Sequence, residues 1–140
     1  MKKLSLCLAM LVVALMFGTL ILGCDSGGNP PPPPTNVNVM WLDRNRVLVT
    51  WDEVPGAEVY EIAFRTNLES FSTRRNIGAA HITSFTHSVH PSVITDNVTS
   101  LYYFVRAGRG REITAWVQSH TWADTGNPGA PGGGMVRPPE

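Results

Sequence analysis

The chain has 140 residues, and its eleven basic and eleven acidic side chains balance to a formal charge of zero. Such a balance supplies no broad cationic field, which excludes a nucleic-acid partner gathered by charge. Two cysteines, Cys7 and Cys24, are too few for a disulfide framework.

Lys2 and Lys3 precede an apolar stretch over residues 4–22 that is interrupted only by Ser5, Gly18 and Thr19. A stretch of this length nearly crosses a bilayer as a helix, so a retained single-pass anchor is one reading. A cationic start, an apolar core and a small residue near the end are also the parts of a secretory signal. Leu20-Ile21-Leu22-Gly23-Cys24 closes the segment. It resembles the lipobox of bacterial lipoproteins, with Leu22 where that family more often has a small residue. The resemblance implies a signal peptide over residues 1–23, cleavage after Gly23 and acylation of the Cys24 thiol. It places the mature protein on a membrane of the bacterial cell envelope, inner or outer. Loss of Lys2 and Lys3 would leave nine arginines against eleven acids, a formal charge of −2. With the Cys24 sulfur committed to lipid, no disulfide remains possible, and the domain must fold on its apolar core alone.

Residues 24–34 read as a tether, because residues 30–34 are all proline. Polyproline is stiff and extended, which suits a spacer that lifts a domain off the headgroups. The domain itself is expected over residues 35–124. Val37, Val39 and Trp41 alternate with Asn36, Asn38 and Met40, the period of a half-buried strand. Val47, Val49 and Trp51 repeat the pattern, and residues 52–57 form a Pro-Gly turn. Tyr60, Ile62 and Phe64 define a third buried face, residues 82–89 a fourth strand, and Leu101, Tyr103, Val105 and Ala107 a fifth. Ile113, Ala115 and Val117 predict a sixth. Residues 125–140 are dominated by Gly and Pro and are expected to be a disordered tail. Short strands at near-regular spacing, without a helical period, predict an all-β sandwich of about seven strands.

Val47-x-Val49-x-Trp51-x-x-Val54-x-Gly56-Ala57-x-x-Tyr60-x-Ile62 resembles the B and C strands of a fibronectin type III domain, and Tyr103-x-Val105-x-Ala107 resembles its F strand. The likeness covers residues 35–124 and implies an immunoglobulin-like sandwich. Val89-x-Pro91 resembles the corner that precedes strand F, but extra residues follow it, and Leu101 stands where that family has a corner tyrosine. The hydrogen bond of that tyrosine is therefore expected to be missing.

No catalytic constellation is apparent. The sequence lacks a Gly-x-Ser-x-Gly elbow, a phosphate-binding Gly-x-x-x-x-Gly-Lys and a His-Glu-x-x-His. His81, His87, His90 and His120 read as surface and loop histidines rather than metal ligands, since His87 and His90 point to opposite faces of a strand. No enzymatic activity, cofactor or metal is expected. Gly108-Arg109-Gly110-Arg111 reads as a hairpin loop. The positive signal is a surface. If Tyr103 and Val105 face the core, then Tyr102, Phe104 and Arg106 face outward, joined by Trp116 and Arg65 from neighbouring strands. Such a row is either a ladder that covers the sheet or a binding face, because Trp, Tyr, Phe and Arg are enriched at interface centres. The expected function is a membrane-anchored interaction or adhesion module with a protein partner. The alternatives are an accessory subunit of an envelope assembly and a carbohydrate-binding module.

Overall fold

A computed structural model describes residues 29–126 and 134–137. Its strands are β1 (Asn38–Asp43), β2 (Arg46–Thr50), β3 (Val59–Thr66), β4 (Arg75–Ala80), β5 (Ser84–Ser88), β6 (Ser100–Arg109), β7 (Glu112–Ile113), β8 (Val117–Gln118), β9 (Ala123–Asp124) and β10 (Met135–Val136). One sheet has the order β1-β2-β5; the other runs β10-β9-β6-β3-β4, with β7 and β8 also paired to β6. The two sheets pack face to face as an all-β sandwich.

The alternation read from the sequence sets the core. Val37, Val39, Trp41, Val47, Val49 and Trp51 are buried from one sheet, and Tyr60, Ile62, Phe64, Leu101, Tyr103, Val105 and Ala107 from the other. Trp51 packs on Tyr60 with ring centroids 5.2 Å apart, and the Tyr60 hydroxyl accepts a 2.8 Å bond from the Val54 amide. That bond fastens the β2–β3 turn, where Gly56 has φ +76°. The β6–β7 hairpin turns at Gly110, φ +58°, as the Gly-Arg repeat suggested.

Several elements differ from expectation. β4 was not predicted, because Arg-Asn-Ile-Gly-Ala-Ala shows no alternation. It forms because Ile62 pairs with Gly78, and the missing Cβ leaves room for the Phe85 ring, which a methyl there would meet at 2.7 Å. The predicted sixth strand is broken. Ile113 is 47% exposed and Ala115 is also exposed, while Val117 alone packs on the core. Between β7 and β8 the Thr114 amide still donates to the Ala107 carbonyl at 2.9 Å, but the Ala107 amide is taken by the Thr114 hydroxyl at 3.0 Å, so a side chain substitutes for one bond of the ladder.

Leu101 is fully buried, and another residue does the pinning expected of a corner tyrosine. The Asn67 Oδ1 accepts from the amides of Thr99 and Ser100 at 2.9 and 3.3 Å, and its Nδ2 donates to the Asn97 carbonyl.

Both ends of the domain are longer than the sequence suggests. Pro31 and Pro34 are buried, and the Asn29 carbonyl accepts a 2.6 Å bond from Arg109, so the proline run lies against the domain instead of standing free as a spacer. Within the segment expected to be wholly disordered, Thr125 is buried and donates to the Val98 carbonyl, and β10 runs parallel to β9. Arg137 fixes β10 by donating to the Arg44 carbonyl at 2.6 Å.

Candidate interaction face

The outer surface of the β3–β6 pair carries the row that alternation predicts. Antiparallel register sets Arg65 opposite Tyr102, Ala63 opposite Phe104 and Glu61 opposite Arg106. Directly opposed side chains on one sheet face touch, so each pair has a definite contact. The Arg65 guanidinium lies 4.4 Å from the Tyr102 ring centroid. Arg106 pairs with Glu61 at 2.5 Å and lies 4.4 Å over Trp116, which comes from the segment between β7 and β8. The structure thus brings Arg65, Tyr102, Phe104, Arg106 and Trp116 onto one face.

Phe104 departs from the expected exposure. It points outward but is completely buried, as is Ala63 opposite it. The cover comes from the β3–β4 loop. Phe71 meets Phe104 edge-on, with centroids 5.6 Å apart and planes at 83°. Arg74 lies 5.3 Å from the Phe104 ring, 5.4 Å from Phe71 and 5.8 Å from Trp116. Small Ala63 leaves the hollow into which this loop folds. Trp122 extends the row beyond Tyr102, with centroids 6.2 Å apart, and Gly134 seats so closely on Trp122 that a Cβ would strike its ring. Sequence reasoning missed Phe71, Arg74 and Trp122. The one sequence signal for the loop is an aromatic residue followed by two arginines, and no strand period marks it.

Glu69 holds the loop. Its carboxylate accepts from the Thr66 amide at 2.8 Å and from Arg75 at 2.6 and 2.9 Å. Partial burial by itself would raise its pKa, but the bonds from Thr66 and Arg75 outweigh that and lower it. Arg65 donates to the carbonyls of Thr66 and Glu69, which joins the loop to β3. The consequence is the presentation of Leu68 and Phe71, which are 62% and 60% exposed.

The histidines stay apart. His81 bonds the Glu58 carbonyl, and His90 caps the short 3-10 turn at Pro91–Val93. His87 is not the surface residue expected; it is partly buried, stacked on Phe64 at 4.7 Å and bonded to the Tyr103 hydroxyl at 2.9 Å. Among the described residues, no group of three or more His, Cys, Asp or Glu side chains is placed to hold a metal ion. Cys24 lies outside the described residues.

No family profile and no curated protein matches this sequence. Solved structures do resemble the fold. FN3tt is 20% identical, with a TM-score of 0.55 over 71% of this chain and 100% of that one. A Fn3-like protein from Clostridium thermocellum is 21% identical, with a TM-score of 0.52 over 65% of this chain and 91% of its own. The fn3 domain of the human collagen alpha-1(XX) chain is 18% identical, with a TM-score of 0.52 over 79% and 100%. Identity this low carries the fold alone. The chain therefore holds a fibronectin type III-like sandwich.

Proposed function

We propose that this fibronectin type III-like domain is a non-enzymatic interaction module, held on a membrane of the bacterial cell envelope by acyl chains on Cys24. It engages a protein partner through the outer face of the β3–β6 pair. The observation that carries the reading is the loop that leaves Phe71 mostly exposed beside Arg65 and Arg74, next to Tyr102 and Trp116. Folding alone favours covering apolar side chains, whereas an exposed Phe71 ring set among half-buried rings and guanidiniums has the composition of an interface centre. Phe104 supports this surface from below, and the Arg106–Glu61 pair braces Trp116 within it.

The carbohydrate alternative finds less support, because guanidiniums at 4.4 Å cover the rings of Tyr102 and Trp116 that a sugar would need bare. The position of the prolines bears on reach. With Asn29 already bonded to the domain, the chain back to Cys24 spans at most about 18 Å when fully extended. The module thus meets partners close to the headgroups.

The anchor is tested by lipid labelling of wild type and Cys24→Ser. Two or three acyl chains, at about 0.8 kcal/mol per buried methylene, hold a protein on a bilayer almost irreversibly. The expected outcome is a lipid mass on mature wild type and none on the variant. An intact chain beginning at Met1 with Cys24 unmodified contradicts the anchor.

A further inference from the structure

The partner's chemistry follows from which arginines on the face lack a counter-charge, an argument that rests on the reading of this face as a binding surface. Three arginines, Arg65, Arg74 and Arg106, lie on it, and Arg75 stands at the sheet edge in register with core-facing Phe64. Arg106 has Glu61, and Arg75 has Glu69. Arg65 and Arg74 have no carboxylate within ion-pair distance among the described residues. Both lie within 6 Å of the Phe71 ring, at 5.8 and 5.4 Å, so two like charges flank one exposed aromatic. Two like charges beside one apolar ring favour an anion that meets both.

Their donors are mostly unused. Arg74 makes one hydrogen bond, to the Phe71 carbonyl at 3.1 Å. Arg65 uses Nη1 for two carbonyls, and its buried Nε–H finds no acceptor. Arg74, stacked near the Phe71 ring, still presents in-plane N–H groups that can take a carboxylate bidentately, whereas Arg65 has only its Nη2 left to offer. The chain as a whole is not cationic, so this attraction is local.

We infer that the face binds a protein segment carrying one or two carboxylates beside an apolar side chain. The carboxylates meet Arg65 and Arg74, and the apolar group packs on Phe71, which both arginines flank. Two unpaired cations are too few for a long polyanion, whose binding scales with the number of charges neutralised. Exposed Phe71 would gain nothing from a sulfated sugar chain.

The test uses random dodecapeptides displayed on phage, selected at physiological salt on the full-length lipidated protein in phosphatidylethanolamine–phosphatidylglycerol nanodiscs. The expected peptides carry Asp or Glu next to an aromatic or aliphatic residue. Arg74→Gln should weaken them about tenfold or more. Arg74→Glu should invert the selection toward Lys and Arg, an inversion that a packing defect does not produce. Heparin serves as the polyanion probe and should neither bind tightly nor compete. Peptides that need Phe71 but carry no acid and ignore Arg74→Gln would overturn the acidic partner while leaving the binding face standing. Heparin binding that displaces the peptides would overturn it in favour of a polyanion. Failure to select any peptide sensitive to Phe71→Ala or Arg74→Gln would remove both the inference and the face it rests on.

Discussion

His87 and Tyr103 meet across the interior, with the imidazole Nδ1 2.9 Å from the phenol oxygen and the two rings edge to face at 5.7 Å. The contact joins β5 of one sheet to β6 of the other. Burial pushes the Tyr103 hydroxyl well above the usual phenol range and lowers the His87 imidazole from 6.5 to about 4. Both groups are therefore neutral at physiological pH.

Stability should fall in mild acid for this reason. Below pH 6.5 the unfolded chain protonates His87 while the folded domain excludes the proton until about pH 4. Over that window the unfolded state binds more protons, so stability is lost as pH falls from 6.5 to 4 and the loss levels off below. Lowered pKa values at Glu69 and Asp43 act further into acid, beneath their ordinary 4.5 and 3.8. Urea midpoints for wild type and His87→Gln at neutral pH and near pH 5 isolate the histidine. The variant should show a shallower decline, and parallel declines would contradict the assignment.

Trp51→Ala should cost about 3–5 kcal/mol, because it empties the centre of a core that no disulfide supports. Trp51 is 5% exposed and packs on Tyr60, so the cavity cannot close without moving the β2–β3 turn. A thermal transition close to that of wild type would contradict this placement.

Asn67→Ala should destabilise by about 1–3 kcal/mol, since it strands the amides of Thr99 and Ser100 where β6 begins. Hydrogen exchange reads this locally. Both amides should exchange faster in the variant, while Val105 at the middle of β6 should keep most of its protection.

These sites show how far the sequence was legible. β1, β2, β3 and β6 each bury one face against the opposite sheet, so Val47, Val49, Trp51, Tyr60, Ile62 and Tyr103 announce themselves by period two. β4 does not, because Gly78 is there to admit Phe85, a tertiary demand without local periodicity. The run after β6 misled for a related reason. Ile113, Ala115 and Val117 alternate, yet Thr114 interrupts the ladder and leaves Ile113 exposed. Residues of the candidate face that lie on strands were readable. Phe71 and Arg74, which cover Phe104 and make the surface distinctive, arrive on a loop whose path depends on Glu69 meeting Arg75. Polyproline composition says stiff and extended, but nothing in it says that Pro34 will be buried.

The claim that this surface is the working face is tested most directly by site-specific photocrosslinking in cells expressing the full chain. Benzoylphenylalanine is placed at position 71 or 116, with positions 40 and 82 as controls. Met40 is 44% exposed on the outer side of the other sheet, and Ile82 is 66% exposed in the β4–β5 turn. The account predicts an adduct of the same mass from positions 71 and 116 and none from 40 or 82. No adduct from 71 and 116, or one shared equally by all four positions, would contradict it.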